Sequence, residues 1–219
     1  MENGLDKEQK KVFSSLVGLG SLIESQLQLL LDSMSGKIKD AREIEEDASI
    51  AKSRSRDIES ECLRTILRYH PVASDLRVIS ASTRISTDLE RIGDNASDIH
   101  EIFPFITYKT YFTKLSLVEM AKDVKTMVSL SVDAFVSRDI EKAEMVITSD
   151  DKVDAFFDSA KGKIASIIKN GEDYSEEALD LLMIAKYLER MADHAVSIAR
   201  YVGWSVDGDE DWLGSKERK

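Results

Sequence analysis

The chain has 219 residues, 42% of them apolar and 32% charged, with a net charge of −11, which is enough to bury a core and argues against nucleic acid as a main partner. No apolar run approaches the roughly 18 to 20 residues that span a bilayer, and the polar MENGLDKEQKK start is unlike a secretory signal, so a cytoplasmic location is expected. Two prolines, ten glycines and long runs free of both favour an all-α protein.

In chain order, Leu16, Leu19, Ile23, Leu27, Leu30 and Met34 recur three and four apart, which predicts a helix over about 6–34. SMSGKIKD supplies a turn, and a second helix is expected over about 38–69, before Pro71. A third, about 73–103, ends where Pro104 forbids continuation. After the linker FPFITYKTYF, a second set begins near 114, pauses at SRD (137–139), runs to about 169, turns at KNGEDYS and finishes over about 175–204. Ser175, with Glu176 and Glu177, places a capping hydroxyl and acidic side chains where exposed amides and the positive dipole end favour them. The segment after Trp204 is polar and reads as mobile.

The two sets are copies of one template. Ile85, Leu89, Ile92, Ala96 and Ile99 form a 4, 3, 4, 3 seam, and moving 99 residues on gives Ile184, Leu188, Met191, Ala195 and Ile198. The expected architecture is therefore two tandem three-helix bundles related by internal duplication, six helices in all. Residues 1–105 form one repeat, 106–206 the second and 207–219 the tail.

Each copy of the repeated LER motif holds carboxylates four apart, Glu90 with Asp94 and Glu189 with Asp193. Such residues share a helical face; in the first copy the pair lies roughly 140° and 180° from the seam centre, directed away from the core. Asp150 and Asp154 repeat the spacing on the preceding helix, roughly 60° and 100° from a seam through Val153, Phe157, Ala160, Ile164 and Ile167. Four carboxylates along one groove repel one another, and a bound cation would remove that cost. Carboxylate-only sets suit iron, manganese or magnesium better than structural zinc. The competing reading is a solvated acidic face paired by Arg91 and Arg190.

The stretch HPVASDLRVISASTRISTDLERIGDNASDI, residues 70–99, resembles the PhoU phosphate-signalling regulators, whose pattern is close to PVAxDLRxI followed by LERIGDxAxNI. The second half repeats it as LERMADHAVSI after SDDKVDA, so the resemblance spans roughly residues 10–204. It implies two similar three-helix bundles and negative regulation of high-affinity phosphate uptake. The implied partners are the ATPase subunit of the phosphate ABC transporter and a membrane sensor histidine kinase, with membrane association only through them and a homo-oligomer, a dimer, expected. It also implies surface metal clusters on Asp150, Asp154, Glu189 and Asp193 in the second half, and on Asp47, Glu90 and Asp94 in the first. Iron is expected first, with manganese, magnesium, zinc or nickel behind it.

The first half has Ala51 where the second has Asp154, so its site is expected to be weaker, with Asp98, which replaces the family's usual asparagine, compensating from one turn on. Met191 and Ala192 stand where the family has Ile-Gly. His194 is read as a partly exposed helix residue, His70 and His100 as structural or solvent-facing, Arg77 as an inter-helix anchor and Cys62 as a packed residue. No P-loop, nucleophile elbow or Cys/His cluster occurs, so no catalytic residue is assigned. The expected function is a non-enzymatic regulator. The alternatives are a carboxylate-bridged metal enzyme and a structural helical interaction protein without metal.

Overall fold

The computed structural model describes residues 4–38, 41–169 and 175–213. The helices are α1 (Gly4–Met34), α2 (Glu43–Tyr69), α3 (Ser74–Ile102), a short α4 (Thr110–Lys114), α5 (Leu117–Ser137), α6 (Ile140–Lys169) and α7 (Ser175–Asp207). Single 3-10 turns cover Phe103–Phe105 and Glu210–Trp212. Among the described residues there is no strand, and no helix is long and apolar enough to cross a membrane.

Six long helices form two three-helix bundles, α1–α3 and α5–α7, and α1 packs on α5 while α3 packs on α7. That leaves α2 and α6 at the two edges. The apolar stripes of both bundles join in one core that runs from Leu16 and Ile23 through Ile85, Leu89 and Ile92 to Leu188, Met191 and Ile198. Duplication explains the join: each copy of the seam helix is apolar enough to serve its own bundle and still pack against its counterpart.

Small deviations from the expected limits have local causes. The second helix starts at Glu43 rather than near 38, and residues 39–40 of the turn lie outside the described residues, as do residues 170–174 of the later turn and the side chain of Ser175. The linker holds two short helical pieces. Phe103 and Phe112 are buried and packed 5.4 Å apart, so this segment is part of the core.

Beyond Trp204 the helix continues to Asp207 and a turn folds back over it. Trp212 lies so close to Gly203 that a Cβ there would sit 2.3 Å from the indole, and its Nε1 donates to Asp207 Oδ2 at 2.7 Å. The described part of the tail is thus held against α7, where the sequence suggested a mobile segment.

At the centre of the first bundle, Gln26 is fully buried and its Nε2 donates to the carbonyls of Ile44, at 2.7 Å, and Gly93, at 3.1 Å. Gly93 is the glycine of LERIGD. A Cβ there would come within 2.9 Å of Ile23 Cδ1 and 3.0 Å of Gln26 Oε1, so the glycine makes room for an amide that ties α1 to α2 and α3.

Candidate functional site

The repeated motif helices α3 and α7 lie side by side and antiparallel, which brings Asp88 opposite His194 and Ser197, and Asp98 opposite Tyr187. Ser197 Oγ donates to Asp88 Oδ2 at 2.8 Å, and His194 Nδ1 lies 2.8 Å from Asp88 Oδ1. Tyr187 donates its hydroxyl to Asp98, which lowers the cost of an ionised Asp98. Burial raises the Asp98 carboxyl all the same, with Asp94 adding to it and Arg190 opposing. Asp98 is therefore part of the junction between repeats rather than a compensating metal ligand.

The other six first- and second-half candidates fall in three environments. Asp150 is buried at 1% exposure, within a core stripe of α6 that includes Ala143, Val146 and Val153, well inside the surface groove in which the sequence had placed it. Asp154, Glu189 and Asp193 share one electrostatic neighbourhood on α6 and α7. Burial and then Glu189 raise both the Asp154 and Asp193 carboxyls, although Asp193 is open to solvent on one side. Lys186 opposes both shifts, because its Nζ lies 2.5 Å from Glu189 Oε2. In the first half, Asp47 is half-buried and raised by its burial and by Glu43 and Glu46, with Arg54 opposing. Asp94 pairs with Arg91 at 3.4 Å, and Glu90 is half-buried.

These carboxylates do not fit the expected iron, manganese, magnesium, zinc or nickel cluster. Among the described residues no group of three or more His, Cys, Asp or Glu side chains comes together in a way that could hold a metal ion. The physical reason is that the chain supplies its own cations and donors. Lys186 takes Glu189, Arg91 takes Asp94, Tyr187 takes Asp98, and Asp150 is drawn into the core. Two carboxylates beside an ammonium make a poor cage for a hard cation, which takes about six oxygen ligands. Ala51, which replaces the second half's Asp154, is fully buried against the Gly93 region.

Sequence reasoning missed Asp88 because its acceptor role depends on which helix lies opposite. The clue available was pairing by offset: Asp88 and Ser197 exchange places with Tyr187 and Asp98 when 99 is added. His100 Nδ1 similarly lies 3.1 Å from Glu45 Oε1, between α3 and α2.

A duplicated three-helix unit, joined through its two motif helices and presenting half-neutralised acidic faces, defines a helical accessory protein that works through its surfaces. The PhoU domain model matches the chain twice, over residues 16–103 and 117–202, and the chain belongs to the PhoU family. It is 27% identical over 209 residues to the phosphate-specific transport system accessory protein PhoU homolog of Clostridium acetobutylicum, covering 94% of this chain and 95% of that one. The proteins of the same name from Pseudomonas aeruginosa and Synechocystis are each 30% identical, covering 93% and 92% of this chain and 85% and 91% of theirs. The crystal structure of PhoU from Pseudomonas aeruginosa is similar with a TM-score of 0.85 at 26% identity, covering 93% of this chain and 99% of that one. For PhoU from Streptococcus pneumoniae the TM-score is 0.85 at 24% identity, over 94% and 98%, a likeness of fold.

Proposed function

We propose that this chain is a PhoU-type regulator of phosphate transport and phosphate-responsive signalling that acts by protein contact, without a resident carboxylate metal cluster. The observation that carries the reading is the double match of the PhoU domain over both repeats, with relatives named for phosphate-specific transport along nearly their whole length. The compensated carboxylates favour contact over metal chemistry, since Lys186, Arg91 and Tyr187 already hold them.

In the finer form of this reading the partners are the ATPase subunit of the phosphate ABC transporter and a membrane sensor histidine kinase, met at the cytoplasmic face, with a second copy of the chain as a further partner. Regulation then follows from differential affinity: the chain shifts a transporter or kinase only if it binds one conformation more tightly than another. Co-purification of the tagged full chain from phosphate-replete and phosphate-starved cells, with and without EDTA, tests this. Recovery of both partners in a phosphate-dependent manner, unchanged by EDTA, is the expected outcome; loss of both on chelation, or recovery of neither, overturns it.

A further inference from the structure

From residue 52 onward α2 carries five Lys or Arg against three Asp or Glu, in a chain of net charge −11. Its counterpart edge helix α6 carries five Lys against six Asp or Glu. Because α2 and α6 hold equivalent places in a duplicated fold, the architecture does not account for the difference.

The basic residues line a groove. A cavity of about 490 Å³ between α1 and α2 is bordered by Lys11, Arg64, Leu67, Arg68 and Tyr69, and a second of about 340 Å³, bordered by Arg54 and Ser15, adjoins it through Glu61 and Arg64. The run from Arg54 to Arg68 measures about 21 Å along the helix, the length of roughly 14 helical residues. Within the groove Glu61 is already paired with Lys11 at 2.6 Å. Arg54 Nη1 donates to the Gly18 carbonyl at 2.9 Å and Arg68 stacks 5.3 Å from the Tyr69 ring centre, contacts that leave their charges unneutralised. Among the described residues none of Arg54, Arg64 and Arg68 pairs with a carboxylate. Leu67 is 65% exposed between Arg64 and Arg68.

We propose that this α1–α2 groove docks an acidic amphipathic helix of a partner protein, its carboxylates meeting Arg54, Arg64 and Arg68 and its apolar side meeting Leu67. A short acidic helix is favoured over nucleic acid or an anionic membrane by screening. At physiological salt charges are felt over about 8 Å, so a groove-sized ligand senses the local arginines, whereas an extended polyanion also meets the acidic remainder of the surface. This assignment rests on the reading of the chain as a contact-acting regulator.

The test is a photo-crosslinking amino acid at Leu67 of the full chain in its own cells, with the crosslinked segment identified by mass spectrometry. An acidic helical segment of another protein is expected, with yield falling more than tenfold in Arg64→Glu plus Arg68→Glu, unchanged in the α6 control Lys152→Glu, and restored when the partner's acidic residues are changed to Lys. No crosslink, a crosslink to a second copy, to lipid or to a basic segment, or a yield that survives the arginine reversal, overturns the assignment. Circular dichroism of each variant shows that it is folded. If the crosslink fails while deletion of the gene still uncouples transcription from phosphate, the groove assignment falls and the regulatory reading stands.

Discussion

Asp88 on α3 and Ser197 on α7 are joined by a 2.8 Å hydrogen bond across the junction between the repeats. The 99-residue offset carries Asp88 onto Tyr187 and Asp98 onto Ser197, so the second junction bond, Tyr187 to Asp98, is the same pair with carboxylate and hydroxyl exchanged. One duplicated contact has been solved twice, with the acid supplied by α3 each time.

Asp88→Ala is expected to destabilise the protein by about 1–3 kcal/mol, because a hydrogen-bonded carboxylate is lost and Ser197 and His194 lose their acceptor. A double-mutant cycle with Ser197→Ala, followed by urea denaturation, is expected to return a coupling of about 0.5–3 kcal/mol. Additive effects would mean that the two side chains do not interact.

Asp193→Asn is expected to raise the melting temperature at pH 7. Burial first, then Glu189, lifts the Asp193 carboxyl above the ordinary aspartate range, so its charged form costs stability wherever it is ionised. As pH falls through the raised value the folded protein takes up the proton before the unfolded chain does, and the cost disappears. The advantage of Asp193→Asn over wild type therefore shrinks from pH 7 towards pH 4, which thermal melts across that range would record. Asp154→Asn behaves the same way, for the same leading cause.

Gly203→Ala is expected to displace Trp212, since the added methyl would lie 2.3 Å from the indole. The Trp212 Nε1 bond to Asp207 goes with it, and tryptophan emission shifts to the red as the ring meets water. Emission unchanged from wild type would show that the turn does not sit on α7.

Dialysis against EDTA is expected to leave the melting temperature unchanged, and adding iron(II) or manganese(II) at 100 times the protein concentration to shift it by less than about 1 °C. Tight binding to the folded chain alone would stabilise it by about 2.7 kcal/mol at a ligand concentration 100 times Kd, several degrees for a domain of this size. A shift of that size, abolished by Glu189→Gln, would restore the cluster that the Lys186 pair argues against.

Helix positions were legible because apolar residues three and four apart report one face of a helix, and prolines and glycines mark its ends. The three seam helices on either side of the linker begin and end close to where Leu16–Met34, Ile85–Ile99 and Ile184–Ile198 place them. The carboxylates were misread for a reason of geometry. Spacing along one helix says that Glu189 and Asp193 share a face, but not that Lys186 sits three residues back with its ammonium on Glu189. Asp150 was assigned to a groove from a seam drawn through Val153 and Phe157; the buried stripe instead runs Ala143, Val146, Asp150, Val153, with Phe157 only partly covered. The Asp88 and Asp98 contacts depend on α3 meeting α7, a tertiary fact that no single-helix pattern contains.

The most direct test of a contact-acting phosphate regulator is phosphate-responsive transcription in a strain lacking the gene, complemented with Asp154→Asn, Glu189→Gln, Asp193→Asn in one chain. The account predicts that deletion uncouples transcription from external phosphate and that the triple variant restores the coupling. An unchanged response on deletion, or a folded triple variant that fails to restore it and has lost bound metal, would contradict it.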